Sequence, residues 1–322
     1  MKKALWIVLI SLLTLGLLAG CAAPAAESGP AKVRIGTQPW IGYGPWWIAE
    51  KQGLFEKYNL DVELVDFVED KEVNAAFASG EMEAANLATH TAIKLYSAGV
   101  GLNLVLLEDV STSADAILGG ANIASVADLK GQSVAYEEGT TSDLLLNYAL
   151  SQNGMTLADI TPVPMPASDA GTSLITGNVP AAVTYEPYVS EALKQSADAK
   201  IIYEAGERPG LISDVLVVNS AWAKANPETV KTLLTIWNEA LDYYKSNPAE
   251  AQAIIADAVG SAPEDLTTAF EGVQFYSADD NKAALSGDFL TTIQDVAAVS
   301  QSIGLFETIP DLSALIDTSY LQ

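Results

Sequence analysis

Short β-branched runs alternate with helical stretches twice along this chain, and that alternation restricts the fold more than any other feature. The first series reads as strand over 32–36, helix 45–52, strand 60–67, helix 71–79, strand 84–87 and helix 91–97. The second reads as strand 132–136, helix 142–152, strand 160–165, helix 169–176, strand 181–184 and helix 188–195. From about residue 221 onward the chain reads as nearly all helix. Alternation of this kind predicts an α/β fold with mostly parallel sheets, because a helix carries the chain back between parallel strands.

Two strand-like segments stand between these blocks, and each holds one aspartate in an apolar run. They are Ala114-Asp115-Ala116-Ile117-Leu118 and Ser213-Asp214-Val215-Leu216-Val217-Val218. If both cross between lobes, the helical tail returns to complete the first lobe. The expected architecture is a two-lobed clamp with two crossing hinge strands, residues 32–113 and 218–322 forming lobe 1 and 114–217 forming lobe 2. Ligands favour the cleft between the carboxyl edges of such sheets. In the tail, Asn226-Pro227 and Asn247-Pro248 each place a cap residue before a first-turn proline. Glu250 suggests a capping box with Asn247. Val230, Leu233, Leu234, Trp237 and Leu241 share one helical face, which is expected in the core.

The N-terminus bears on compartment. Lys2 and Lys3 precede an apolar stretch from Ala4 to Leu18, and small residues lead to Cys21. This is the layout of a signal peptide over 1–20, and the stretch is shorter than the about 20 residues a spanning helix needs. Cys21 is the only cysteine, so no intramolecular disulfide is possible. Residues 21–31 read as a tether rich in Ala, Pro, Ser and Gly. From residue 21 on, 14 Lys and Arg face 41 Asp and Glu, a balance of −27. Such a charge argues against nucleic acid and anionic lipid as partners.

Leu18-Ala19-Gly20-Cys21 resembles the lipobox of bacterial lipoproteins. This implies cleavage before Cys21 and lipidation of that residue, which anchors the protein to a membrane surface. A second resemblance runs through Gly36-Thr37-Gln38, Gly53-Leu54-Phe55-Glu56, Ala127-Asp128-Leu129-Lys130-Gly131, Glu138-Gly139-Thr140-Thr141, Thr184-Tyr185-Glu186-Pro187-Tyr188 and Asp214-Val215-Leu216-Val217-Val218. In order and spacing these resemble the periplasmic solute-binding proteins of the nitrate, sulfonate and taurine type, related to thiamine-precursor binders. The resemblance implies a type II periplasmic-binding-protein clamp, extracytoplasmic and monomeric, that delivers a small molecule to an ABC permease and its ATPase without a cofactor.

On this frame the cleft receives Gln38, Trp40 and Tyr43 after the first strand, and Thr89 and His90 after the third. Asp115 and Asp214 come from the crossing strands. Glu138, Thr140 and Thr141 stand at one helix start of lobe 2, and Tyr185 and Glu186 at another. An ionised carboxylate in an apolar strand is costly without a partner. Arg208 is the one basic residue near a cleft loop, so the ligand is expected to bring positive charge. Trp and Tyr faces attract a desolvated cation by roughly 0.5–2 kcal/mol each.

Other roles stay open for these residues. Asp115 and Asp214 could bond strand amides or lock the hinge, and Glu186 could cap the helix after Pro187. His90, the only histidine, could serve structure alone. One of Trp46 and Trp47 should face the core, since adjacent helix positions diverge. Thr140-Thr141-Ser142 could bind a sulfonate or carboxylate, or only cap its helix.

The expected ligand is a small nitrogenous cation or zwitterion, guanidine-, amine- or taurine-like. A thiamine precursor, a flavin or an alkanesulfonate is the alternative, and nitrate or a plain alkanesulfonate is least favoured because the nearby acids would repel it. Enzyme chemistry lacks its parts: the related pyrimidine-making family uses its own histidine and a cysteine-rich iron motif. No Gly-x-Ser-x-Gly elbow accompanies any serine, and His/Cys zinc sites fail by count. Asp279-Asp280-Asn281 lacks the glycine and terminal glutamate of a calcium loop. A ligand sensor would share the same fold.

Overall fold

A computed structural model describes residues 31–321, so the signal peptide over 1–20, Cys21 and the tether up to residue 30 lie outside the described residues. Residue 31, expected at the end of the tether, already opens the first strand. The strands are β1 (Ala31–Thr37), β2 (Leu60–Asp66), β3 (Ala84–Ala88), β4 (Leu102–Ser111), β5 (Asp115–Gly119), β6 (Ser133–Tyr136), β7 (Thr161–Pro164), β8 (Ala181–Tyr185), β9 (Lys200–Glu204), β10 (Ser213–Asn219) and β11 (Val273–Phe275). They form one sheet in the order β11-β4-β10-β3-β1-β2 and another in the order β7-β6-β8-β5-β9. The protein is a two-lobed α/β clamp, one sheet to each lobe.

Both sheets are mixed, which corrects the expectation of mostly parallel pairing. β1 runs parallel to β3, and β6 runs parallel to β7 and β8. β10 is antiparallel to its neighbours β3 and β4, as β5 is to β8 and β9. β11 also runs antiparallel to β4 at the sheet edge, and β5 and β10 are the reversed strands that directly follow a change of lobe. A strand entered through a short connection arrives without the helical return that keeps neighbours parallel.

The crossings fall at residues 112–114 and 205–212, just ahead of β5 and β10. β10 pairs on both sides within the first sheet, so the chain rejoins lobe 1 by residue 213 rather than after 217. Its run Ser213–Val218 is fully buried, as suits a central strand covered on both faces. In β5, Ile117 enters one core while Ala116 and Leu118 enter the core on the opposite face, the period-two alternation of a strand.

The tail behaves as its pattern predicts. Helix Pro227–Ser246 buries Val230, Leu233, Leu234, Trp237 and Leu241. Trp237 meets Trp46 with ring centroids 5.2 Å apart and donates its indole N–H to the Tyr276 carbonyl at 2.9 Å. Both prolines do open their helices, but neither asparagine caps forward. Asn226 donates back to the Trp222 carbonyl at 2.9 Å and Asn247 back to that of Tyr243 at 3.4 Å, so each closes the preceding helix. Helix Asp288–Ser302 touches both lobes, with Phe289 and Ile293 in the first core and Val299 against the second.

Candidate functional site

Because β5 and β10 are reversed, their first residues lie where their neighbours end. Asp214 pairs with Ala88 at the end of β3, and Asp115 pairs with Tyr185 at the end of β8. That register brings both aspartates to the carboxyl edges of the parallel strands, between the lobes. The segment after β1 adds Gln38, Trp40 and Tyr43. Helix Asp70–Ala78 adds its first residue, and helix Thr141–Gln152 its own.

These residues enclose a cavity lined by Gln38, Trp40, Tyr43, Asp70, Ala88, Asp115, Thr141, Tyr185 and Asp214. Its empty space is about 260 Å³, including what is open to solvent. Trp40 from lobe 1 meets Tyr185 from lobe 2 edge to face, at 5.8 Å and 88°.

Three carboxyl groups face this space, and no lysine, arginine or histidine lines it. Their bonds inside the protein are few. Gln38 Nε2 donates to Asp70 Oδ1 at 2.8 Å, and the Tyr43 hydroxyl donates to Asp214 Oδ1 at 2.8 Å. Asp115 Oδ2 is buried without a partner. Behind the lining, Trp46 Nε1 donates to Glu108 at 2.7 Å and Trp40 Nε1 to Asp109 Oδ2 at 3.2 Å.

Burial in this poorly hydrated space disfavours every charged form. It pushes Asp70, Glu108 and Asp109 well above the carboxylate range, and repulsion from neighbouring acids adds to the rise. Asp115 and Asp214 are each pushed up to about 7, with hydroxyls of Ser111 and Tyr43 respectively opposing the rise. Among the described residues no three Asp, Glu, His or Cys side chains converge closely enough to hold a metal ion.

The other expected site residues sit around this cavity in different ways. Thr89 is buried, its hydroxyl 2.8 Å from Ser213 Oγ. His90 is buried against Thr91 and the Gly139 backbone; burial first, then Lys94, lowers its pKa to about 4, so the ring is neutral. Thr140 donates to the Glu137 carbonyl at 2.9 Å, which ties the turn ahead of its helix. Glu186 accepts from the Ser190 amide and hydroxyl at 3.0 and 2.9 Å, the helix-capping role left open for it.

Glu138 requires a correction: it is exposed, and its neighbour Glu137 is the buried acid. The turn at Gly139, with φ of 81°, sends Glu138 outward, while Glu137 accepts from the Ala167 amide at 3.2 Å. Arg208 does not reach the cavity and instead pairs with Asp295 at 2.6 Å on the surface. Both Trp46 and Trp47 are buried, so neither faces solvent.

Asp70, Glu108 and Asp109 were not anticipated. Asp70 had a legible signal: Glu69 and Glu72 form a capping box, which starts the helix at Asp70. Gly42 also matters here. A methyl group at that position would meet both Asp109 Oδ2 and Trp40 Nε1, so Gly42→Ala is expected to lower stability by about 1–3 kcal/mol, read by urea unfolding. Unchanged stability would show that the Trp40–Asp109 bond can shift freely.

Residues 40–251 match the family described as NMT1/THI5 like. A relative from Escherichia coli (strain K12), named "Putative aliphatic sulfonates-binding protein", is 30% identical over 242 residues, which is 74% of this chain and 75% of its own. The periplasmic aliphatic sulphonate binding protein SsuA from Escherichia coli has a similar structure, with TM-score 0.73 at 23% identity, covering 91% of this chain and 100% of its own. The periplasmic nitrate-binding protein NrtA from Synechocystis PCC 6803 gives TM-score 0.71 at 15% identity over 90% of this chain and 87% of its own. These two structures share the two-lobed fold described above. With its sequence matched over most of both lobes, this chain belongs to the NMT1/THI5-like family.

Proposed function

We propose that this protein is the extracytoplasmic, lipid-anchored solute-binding component of an ABC importer. As a monomer it captures a small cationic or zwitterionic nitrogen compound, guanidine- or taurine-like, and presents it to the permease and ATPase. It performs no chemistry on that solute. The observation that carries this reading is the cavity's charge: Asp70, Asp115 and Asp214 face one small space that no basic side chain lines. A cation with several N–H donors supplies what these carboxylates lack, and Trp40, Tyr43 and Tyr185 offer it aromatic surface. The cavity is far smaller than a drug-sized site, so only a small solute fits it. A flavin is disfavoured by that volume.

The relatives support an alkanesulfonate as the second reading. An anion in this cavity requires its carboxyl groups to be protonated. A thermal-shift panel at pH 7.5 separates the two readings, because bound ligand stabilises the folded state. Guanidinium, methylguanidine or taurine at millimolar concentration should raise Tm by several degrees, and ethanesulfonate and nitrate should leave it unchanged. The opposite pattern would transfer the assignment to sulfonates.

Residues that lie near the cavity without lining it should matter little. Glu138→Gln and Arg208→Ala are expected to change the calorimetric Kd for the bound probe by less than about threefold, as solvent-exposed charges do. A loss of tenfold or more in either would mean that the charge balance extends beyond the cavity wall.

A further inference from the structure

Asp109 does not line the cavity, yet it stands directly behind one of the carboxylates that does. The antiparallel register of β4 and β10 pairs it with Asp214. Directly opposed residues of such a pair carry their side chains on the same face, with Cβ atoms about 4.5–5.5 Å apart. Asp109 is 0% exposed and Asp214 4%. One oxygen of each is taken: Asp109 Oδ2 accepts the Trp40 indole N–H, and Asp214 Oδ1 accepts the Tyr43 hydroxyl. Asp109 Oδ1 is buried with no partner.

Two ionised carboxylates opposed in a space this dry repel strongly, and the usual relief is one proton held by the pair. We propose that Asp109 and Asp214 hold one proton between them in the ligand-free protein, and that a cationic solute entering beside Asp214 displaces it. One positive charge enters and one proton leaves to solvent, so the charge behind the cavity wall is conserved. Asp109 is then a positioning residue: it fixes the Trp40 indole and sets how readily the cavity takes up a cation at a given pH. The exchange rests on the cation-binding reading above; the shared proton does not.

The groups acting on the pair come from every element around it. Tyr43 and Asp70 face it from lobe 1, Glu108 from β4 itself, and Asp115 from lobe 2. Tyr276 senses Asp109 from beyond β11. None of these is basic. Burial raises both carboxyl groups of the pair, and for Asp109 repulsion from Asp214 is the next largest cause.

The test compares the wild type with Asp109→Asn, whose amide oxygen can still accept from Trp40. Guanidinium chloride is titrated calorimetrically in buffers of different ionisation enthalpy at pH 6.5. The wild type should release about one proton per guanidinium and the variant less than about half of one. Between pH 5 and 7 wild-type affinity should rise by up to about tenfold per pH unit, and the variant's rise should be smaller and level off at lower pH. Tight binding without proton release overturns the exchange.

The shared proton is tested separately in the ligand-free protein, by following the Asp214 carboxyl carbon by NMR. Its titration midpoint should fall by at least about one unit in Asp109→Asn, and identical curves overturn the proposal. Should Asp109→Asn fail to fold, Asp214→Asn reads the same proton through the Asp109 carbon. Failure of both guanidinium and taurine to bind the wild type would overturn the cation reading, while the ligand-free titration still decides the proton.

Discussion

Asp214→Asn is expected to weaken guanidinium or taurine binding by about 2–5 kcal/mol, the loss measured when one partner of a buried charge pair is removed. Calorimetry at pH 7.5 reads this directly. Asp214 has the Tyr43 hydroxyl on one oxygen, faces the cavity, and lies beside Asp70, Asp109 and Asp115 without a basic neighbour in the lining. No basic group of the lining balances its charge once it is ionised. The same substitution should make the ligand-free protein more stable at pH 8, because it removes a buried charge that nothing balances. Weaker binding with unchanged or lower stability would return Asp214 to a structural role in the hinge region.

A second large effect is a loss of ligand-free stability as pH rises from 6.5 to 8. Asp115 and Asp214 titrate near 7 in the folded protein, far above the range of an unfolded aspartate at about 3.9. Below that unfolded value both states hold the proton, and stability is lost progressively as pH climbs through the folded value. Between pH 6.5 and 8 each of these two groups should remove about 1 kcal/mol, and Asp70, Glu108 and Asp109 act in the same direction. His90 opposes this trend only lower down, between its folded value of about 4 and the unfolded value near 6.5. Thermal unfolding followed by circular dichroism should therefore show a lower Tm at pH 8 than at pH 6.5. Saturating guanidinium should flatten or invert that slope. A ligand-free Tm that rises over this interval would contradict the buried, unbalanced carboxylates.

Much of this arrangement is legible in the sequence alone. Asp115 and Asp214 stood out because each is an acid inside an otherwise apolar strand segment, where an ionised carboxylate is costly without a partner. Gln38, Trp40, Tyr43, Thr141 and Tyr185 followed from their places beside strand ends, and all of them line the cavity. What escaped notice depended on elements that sequence pattern defines poorly. β4 has a continuous apolar stretch from Leu104 to Leu107 without alternation, which does not separate a buried strand from a helix by periodicity. Missing that strand meant missing Glu108 and Asp109 at its end. A helix start placed one residue late hid Asp70.

Glu138 and Glu137 differ by one position, and turn geometry at Gly139, rather than composition, decides which is buried. The reversal of β5 and β10 could not be read locally either, since strand direction is fixed by the connections between lobes. Yet that reversal explains why the first residues of these strands, and not their last, reach the cleft.

The central claim is that the cavity selects positive charge rather than shape alone. Guanidinium and urea are near-isosteres, both planar and rich in N–H donors, and they differ chiefly in charge. Isothermal titration of the wild-type protein with each at pH 7.5 tests the claim most directly. The cavity's unbalanced carboxylates should bind guanidinium at least about a hundredfold more tightly than urea, a difference of about 2.7 kcal/mol. Equal affinities, or tighter binding of an alkanesulfonate than of either, would contradict it.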